Sequence, residues 1–293
     1  MTQPQAELVL DLKATLGEGP CWDSRSGTLY WVDIKQNQLH AYCPEQGTNR
    51  TITLDQMVGA VVPRQEGGLV LALQHGFYLL DWETEQLTFI DDPESDKTEN
   101  RFNDGKCDAA GRFWAGTLSF DEKEPIAALY VLEKDRRVRK VLDGITVSNG
   151  LGWSPDGGTM YYIDSPTKKV VAYDYDVESG SLGQARTVVT IPEGGGFPDG
   201  MTVDAEGMLW VAQWGGWQVS RWNPQTGEQI DKISLPAARV TSCTFGGERL
   251  DELYITTART GLSEEELAKQ PHAGGVFRVK PGVVGLPTRM YGG

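Results

Sequence analysis

The stretch GTLYWVD, residues 27–33, decides the fold because its pattern recurs along the chain. A glycine stands two residues before a short run of strand-forming residues, which is typical of a tight turn that leads into a β-strand. Six such runs begin 40, 44, 47, 49 and 44 residues apart, at Leu29, Leu69, Phe113, Met160, Leu209 and Leu253, and five of them carry the glycine. Propeller blades of four strands have this spacing. The sequence therefore predicts an all-β fold, a six-bladed β-propeller with four-stranded blades around a central channel.

The repeats fill the chain without a linker or low-complexity segment, so residues 1–293 are expected to form a single domain. A ring of blades has to be closed, and the run at residues 275–279 is expected to pair with residues 7–10 to complete one blade. Helical signal is scarce. The exception is residues 263–269, where Ser263 and Glu266 form a capping-box pattern that predicts one short surface helix.

Composition excludes several classes of partner. The net charge of -14 and a pI near 4.7 argue against binding to nucleic acid or to an anionic membrane. The N-terminal segment that begins with residues 1–4 lacks the basic and apolar parts of a signal peptide. No run of apolar residues reaches transmembrane length. The four cysteines form no Cys-x-x-Cys pair. These features predict a reduced, cytoplasmic protein with no obligate protein partner.

The register of the repeats places related side chains at one end of the channel. The strand that precedes each turn is the innermost strand of its blade, and the position five residues before the turn is a common slot. In four repeats this slot carries a side-chain oxygen, and the residues are Glu18, Asn103, Asn149 and Asp199. Gly59 and Ser242 occupy the other two slots. Carboxylate and amide oxygens suit a hard divalent cation. The alternative role for each of these four side chains is a structural hydrogen bond to a neighbouring blade.

The sequence around these slots resembles the family that contains gluconolactonase, regucalcin and luciferin-regenerating enzyme, and it is most similar to the regucalcin branch. The motifs that carry the resemblance are GEGPCW (17–22), RFNDGK (101–106), SNGLGWS (148–154) and PDGM (198–201). The resemblance implies a six-bladed propeller with lactonase activity. It implies metal ligands at Glu18, Asn149 and Asp199, and substrate contacts at Arg101 and Asn103. A further substrate position, usually Glu in that branch, falls at Asp121.

An open cation site suits hydrolysis of a cyclic carboxylic ester, and the resemblance implies that a small sugar lactone is the substrate. One divalent cation, Ca²⁺, Zn²⁺, Mg²⁺ or Mn²⁺, would polarise the lactone carbonyl and activate water. Asp199 is the candidate general base, and Asp104 is a second candidate whose alternative role is to accept backbone hydrogen bonds in a tight turn. Phosphotriester hydrolysis is expected only as a side activity. The sequence contains no Gly-x-Ser-x-Gly nucleophile motif.

Three further questions stay open at this point. A non-catalytic, calcium-binding propeller is the alternative function, because a fold alone does not fix an activity. Loops 119–127 and 193–198 carry no cluster of Lys and Arg, which disfavours a phosphorylated substrate. Four tryptophans could stack on a sugar or, as is more usual in propellers, pack between blades, and these are Trp22, Trp153, Trp214 and Trp217.

Overall fold

A computed structural model describes residues 5–293. Residues 1–4, which the sequence analysis considers in relation to a signal peptide and to the predicted domain, lie outside the described residues. The strands are β1 (Glu7–Leu10), β2 (Gly17–Asp23), β3 (Thr28–Asp33), β4 (Gln38–Cys43), β5 (Thr48–Thr53), β6 (Val58–Pro63), β7 (Leu69–Leu73), β8 (Gly76–Leu80), β9 (Leu87–Asp91), β10 (Asn100–Cys107), β11 (Phe113–Ser119), β12 (Ala127–Leu132), β13 (Val138–Ile145), β14 (Ser148–Trp153), β15 (Thr159–Asp164), β16 (Lys169–Asp176), β17 (Ser181–Thr190), β18 (Phe197–Val203), β19 (Leu209–Trp214), β20 (Gln218–Asn223), β21 (Glu228–Ser234), β22 (Val240–Gly246), β23 (Glu252–Thr257) and β24 (Val276–Val279).

These strands form six antiparallel sheets of four strands each, and the predicted six-bladed propeller is confirmed. Five blades follow the chain in order, beginning with β2, β6, β10, β14 and β18 as their innermost strands. The sixth blade has the order β22, β23, β24, β1, so the N-terminal strand supplies its outermost position. Glu7 pairs with Arg278 and Leu8 with Phe277 in this blade, which confirms the predicted closure of the ring.

The recurrent glycines explain the tight turns into the second strand of each blade. Gly27, Gly67, Gly111 and Gly207 have positive φ, a conformation that costs glycine little. In the fourth blade Gly157, not the predicted Gly158, adopts it. The turns thereby hold the repeats in register, and the starts of the innermost strands meet at one end of the channel.

Large aromatic side chains fill the spaces between neighbouring blades. Trp22 of the first blade stacks on Tyr254 of the sixth with ring centroids 5.6 Å apart, and Trp210 of the fifth packs edge to face against Phe245 of the sixth at 6.0 Å. Trp153 contacts Trp114 of the adjacent blade at 5.9 Å. These contacts confirm the packing role for Trp22 and Trp153 and fix the angle between blades through burial of aromatic surface.

Segments outside the blades are short. One helix, α1 (Glu264–Lys269), begins at Ser263, and its capping box is formed as predicted, since Ser263 N donates to Glu266 Oε2 and Glu266 N to Ser263 Oγ. After β24 the chain crosses the end of the propeller opposite to the slot residues, where Gly285 N donates to Leu250 O and Tyr291 N to Pro63 O. All four cysteines, each within the described range, are free thiols. Among residues 5–293, no helix is long and apolar enough to cross a membrane.

Candidate active site in the channel mouth

The four slot residues lie together in a cavity of about 510 Å³ at one mouth of the channel. Each of the four side chains is only 5% or 6% exposed, and they are Glu18, Asn103, Asn149 and Asp199. Arg101 also lines this cavity and is equally buried. Five of the six sequence-predicted site residues are therefore brought together. Charged side chains are rarely so buried unless they have partners, so this cluster calls for a ligand or a counter-charge.

A shift in strand register occurs at the start of every innermost strand. In β2 it falls between Glu18 and Cys21, and in β18 between Pro198 and Met201. The remaining four innermost strands, β6, β10, β14 and β22, have a shift at the same place. Bulges of this kind re-aim side chains and are frequent beside active sites. Here they free the slot residues from the regular ladder, so that their side chains converge on the channel axis.

Glycine beside the slots lets the innermost strands approach each other closely. A Cβ on Gly150 would lie 2.6 Å from the Asp199 carbonyl oxygen, and one on Gly200 would overlap Ser242 Oγ. Neither position could take a larger residue without a shift of backbone or side chain. The close approach of β14 to β18 sets the separation of Asn149 from Asp199.

The Asn149 amide has a defined orientation. Its Nδ2 donates to Ser165 Oγ at 3.0 Å, and Ser165 donates its single proton to the Pro198 carbonyl at 2.7 Å. Ser165 Oγ can therefore only accept from Asn149, which requires the NH₂ group on that side. Asn149 Oδ1 is then directed away from Ser165, and it is buried without a hydrogen-bond partner. A buried acceptor left unpaired is costly, so this oxygen is a strong candidate ligand atom.

Burial makes the two carboxyls of the cluster resist ionisation. Burial, followed by the charge of Asp104, raises the pKa of Glu18 to about 8. Burial, followed by the charges of Glu18 and Asp104, raises the pKa of Asp199 well above its ordinary value. A divalent cation would remove this penalty by neutralising both carboxylates. Two carboxylates and one free amide oxygen are oxygen donors of the kind that hard cations bind, so the donor set fits such an ion.

This set differs from a site built only of charged or imidazole ligands. Within residues 5–293, no group of three or more His, Cys, Asp and Glu side chains is placed to hold a metal. A cation bound in this mouth would therefore need the amide of Asn149 as well as Glu18 and Asp199. The remaining ligand positions would be left to water or substrate.

Arg101 and Asn103 form a unit on the wall of the cavity. Arg101 Nη1 donates to Asn103 Oδ1 and to the Phe102 carbonyl, both at 2.9 Å, while Asn103 Nδ2 donates to Ser148 O at 2.8 Å. Burial lowers the pKa of Arg101 to about 10, against the opposing charges of Glu122, Glu18 and Asp199. The guanidinium is thus held in one place and remains charged at neutral pH.

The structure places Asp121 outside the cavity. Its carboxylate is exposed and turns back on its own loop, where Oδ1 accepts hydrogen bonds from Ser119 Oγ at 2.7 Å and Lys123 N at 3.3 Å. The bond from Ser119 lowers the pKa of Asp121. The next residue, Glu122, has a φ of 56° and lines the cavity instead. The left-handed turn at Glu122 thus places this carboxylate, and not that of Asp121, among the residues that line the cavity.

Asp104, the second candidate base, lies deeper in the channel. It lines a separate cavity of about 230 Å³ towards the opposite end, together with Lys106. Its Oδ1 accepts from Gly105 N at 2.7 Å, while Oδ2 is buried without a partner, and burial raises its pKa. Lys106 Nζ donates to Met201 O at 2.6 Å across the channel. The predicted backbone hydrogen bond is confirmed, and Asp104 is outside the residues that line the mouth.

Sequence reasoning missed several residues of the mouth. Ser165, Phe197, Lys35 and Glu122 line it, and Trp214 is the one of the four considered tryptophans that does. Ser165 and Lys35 stand in short 3-10 turns, Ser165–Thr167 and Ile34–Gln36, that follow the second strands of the fourth and first blades. The second strand of each blade runs antiparallel to the innermost strand and therefore ends at this mouth. A search for residues that directly follow the second strands could have found Ser165 and Lys35.

Comparisons with known proteins agree with this fold. Residues 16–259 match the family model described as "SMP-30/Gluconolactonase/LRE-like region". The chain is 43% identical over 272 residues to a Bacillus subtilis protein named "Putative sugar lactone lactonase YvrE", with 93% of each chain covered. It is also 43% identical to regucalcin of Danio rerio over 296 residues and 100% of both chains. A solved structure of luciferin-regenerating enzyme superposes with a TM-score of 0.93 at 35% identity, covering 99% of each chain.

Proposed function

The chain belongs to the SMP-30/gluconolactonase/LRE-like family, and on that premise we propose that it is a divalent-metal-dependent hydrolase of sugar lactones such as glucono-1,5-lactone. Family membership supports a lactonase-type function. The observation that carries the proposal is the buried, unpartnered Asn149 Oδ1 beside the carboxyls of Glu18 and Asp199 in the cavity. A concave site with a few placed polar groups suits a small polar ligand such as a sugar lactone.

Glu18, Asn149 and Asp199 are the proposed ligands of one cation, either Ca²⁺, Zn²⁺, Mg²⁺ or Mn²⁺. When bound, the ion would polarise the lactone carbonyl and lower the pKa of a coordinated water. The chain's own contribution is a proton acceptor. Asp199 would take a proton from the water as the water oxygen bonds to the lactone carbonyl carbon, and it would return that proton to the ring oxygen, which becomes a hydroxyl as the ring C–O bond breaks. Because the product is a carboxylic acid, each turnover at neutral pH releases one proton.

The wall of the cavity would hold the sugar. Arg101 has N–H groups beyond Nη1 that can donate to sugar hydroxyls, and its hydrogen bond to Asn103 fixes their direction. Glu122, which lines the same cavity, would accept a hydrogen bond from a sugar hydroxyl. We propose Glu122 in place of Asp121 for this contact, because Glu122 lines the cavity and the Asp121 carboxylate is already bound to Ser119.

Proton release tests the proposal directly. Purified protein is mixed with glucono-1,5-lactone in weak buffer, and acid production is followed before chelation, after chelation and after each ion is restored. We expect acceleration that disappears on chelation, and a decrease of about a thousandfold in Asp199→Asn. Asp156→Asn, an exposed carboxylate bound to Ser154 Oγ, is the matched control. The proposal fails if metal-restored protein accelerates hydrolysis of none of several aldonolactones.

A non-catalytic cation-binding protein is the second candidate, because the same three oxygen donors could bind Ca²⁺ without any reaction. One solved relative, 28% identical with a TM-score of 0.94, is described as a calcium-binding protein, regucalcin, from Agrobacterium tumefaciens. Tight Ca²⁺ binding in calorimetry together with no lactone or phosphotriester hydrolysis would favour this candidate. The free buried thiols of Cys21, Cys107 and Cys243 suit a reducing compartment such as the cytoplasm in either case.

A further inference from the structure

Three cations stand around the cavity mouth without carboxylate partners. Lys35 lines the cavity and donates from Nζ to Thr260 Oγ1 at 2.8 Å. Lys168 Nζ lies 5.0 Å from the ring centroid of Phe197, and Arg239 Cζ lies 4.7 Å from that of Trp214. Both aromatic rings line the cavity. The three cations come from the loops after β3, after β15 and before β22, so the mouth gathers them from different blades.

Ion pairing is common but not general among the cations of this protein, and these three differ from the other unpaired cations in standing around one opening. Arg50 pairs with Glu85 and Arg186 with Asp174, for example, whereas Lys232 on β21 has no ion pair within residues 5–293. Over the part of the chain that the structure describes, the twenty ion pairs include none that involves Lys35, Lys168 or Arg239. The Nε of Arg239 is also buried without a hydrogen-bond partner. On a chain with a net charge of -14, a group of unpaired cations at one opening indicates a place for an anion.

The charges inside the cavity do not supply that anion. Glu18, Asn149 and Asp199 form what is here called the floor of the cavity, and a divalent cation would balance the two negative charges there. Arg101 and Glu122 have opposite charges on the wall. The outer edge of the cavity, here called the rim, then has an excess of positive charge from Lys35, Lys168 and Arg239. A lactone bound with its carbonyl at the floor would present its far end to this rim. Contact with the aromatic rings of Phe197 and Trp214 stabilises two of these cations in place.

We propose that the preferred substrate is a sugar lactone that carries an anionic group, a phosphate or a carboxylate, at the end remote from the lactone carbonyl. This inference rests on the proposed function and deepens it. It also reverses the expectation from loops 119–127 and 193–198, since the cations come from other loops that are distant in sequence. The rim would select the substrate by electrostatic attraction, while the floor performs the hydrolysis.

Kinetics with matched lactones tests the proposal. Proton release gives kcat/KM for glucono-1,5-lactone, for its 6-phosphate and for a glucarolactone, whose far end is a carboxylate. We expect at least one anionic lactone to exceed the neutral one by about tenfold at low salt, and we expect salt to reduce that ratio. The comparison of phosphate with carboxylate identifies the anion. Equal or higher kcat/KM for the neutral lactone would overturn the inference and leave the lactonase function intact.

Variants connect the preference to the rim. Lys35→Met should lower the ratio of anionic to neutral kcat/KM by roughly fivefold, whereas Lys232→Met on the outermost strand β21 should not change it. A ratio that is the same in both variants contradicts the proposal. Binding provides a second readout, in which gluconate 6-phosphate should bind more tightly than gluconate in calorimetry. If no lactone is hydrolysed but this difference in binding remains, the proposed function fails and the anion site stands.

Discussion

Asn149 Nδ2 donates to Ser165 Oγ at 3.0 Å, and this hydrogen bond fixes the direction of the amide oxygen that faces the cavity. Ser165 itself donates to the Pro198 carbonyl, one residue before Asp199, so one hydroxyl connects two proposed metal ligands. The arrangement links the fourth and fifth blades at the point where the cation would bind. Partners of this kind orient ligands and tune their affinity without touching the metal.

Ser165→Ala should therefore weaken cation binding although the residue is not a proposed ligand. Without its acceptor, the Asn149 amide is free to rotate, and its oxygen is presented only part of the time. We expect the dissociation constant for Ca²⁺ or Mn²⁺ to rise by about tenfold in calorimetric titration. Ser220→Ala is the control, because Ser220 is also buried, but its hydroxyl donates to Val211 O and accepts from Trp222 Nε1, both within the fifth blade. Unchanged cation affinity in Ser165→Ala would contradict the role assigned to the amide.

The raised pKa of Glu18 predicts that protons compete with the cation. Glu18 has an ordinary pKa of 4.5 and a pKa of about 8 in the folded, metal-free protein. A raised pKa favours folding below pH 4.5, and this contribution is lost as the pH rises towards 8. The cation requires the deprotonated form, so the increase in Tm that it causes should grow between about pH 5 and pH 8.

Thermal denaturation with and without the cation across this pH range measures the effect. Glu18→Gln should lower the affinity and flatten the pH dependence, because its amide does not titrate there. Calorimetry in buffers of different ionisation enthalpy should show more protons released per cation bound at the acidic end. A metal-induced shift in Tm that is constant with pH would show that the carboxyls are already ionised in the metal-free protein.

Adjacent acidic residues allow a sharp test of the substrate contact. Glu122→Gln should raise KM for a sugar lactone by roughly tenfold, because a charged hydrogen-bond acceptor in the cavity is lost. Asp121→Asn should leave KM unchanged, since the Asp121 carboxylate is bound within its own loop. The two variants remove the same charge from neighbouring positions, so general electrostatics cannot explain a difference between them. A larger effect in Asp121→Asn would restore the position implied by the sequence.

The sequence predicted the fold and the floor of the site because both depend on register. Six glycine-marked strands at regular spacing determine the blades, and counting back from each turn finds Glu18, Asn103, Asn149 and Asp199. The rest of the mouth depends on loops that do not repeat. Glu122 faces the cavity because of one left-handed residue, and the rim cations Lys35 and Arg239 are brought together only by the closed ring. Neither feature follows from a periodic pattern.

Close packing of β14 on β18 makes Gly150 a sensitive position for the site. A Cβ added there would lie 2.6 Å from Asp199 O and 2.7 Å from Met201 Cβ, so Gly150→Ala has to push the two innermost strands apart. We expect a loss of about 1–3 kcal/mol in the free energy of unfolding, which is usual for overpacking. We also expect at least a tenfold loss of cation affinity, because Asn149 and Asp199 lie on opposite sides of this contact. Chemical denaturation and calorimetry measure the two effects separately. Gly158→Ala is the control, since the nearest atom to its Cβ is a side-chain oxygen of Asp156 at 3.7 Å. If Gly150→Ala loses stability but binds the cation with unchanged affinity, the separation of these two strands does not set the geometry of the site.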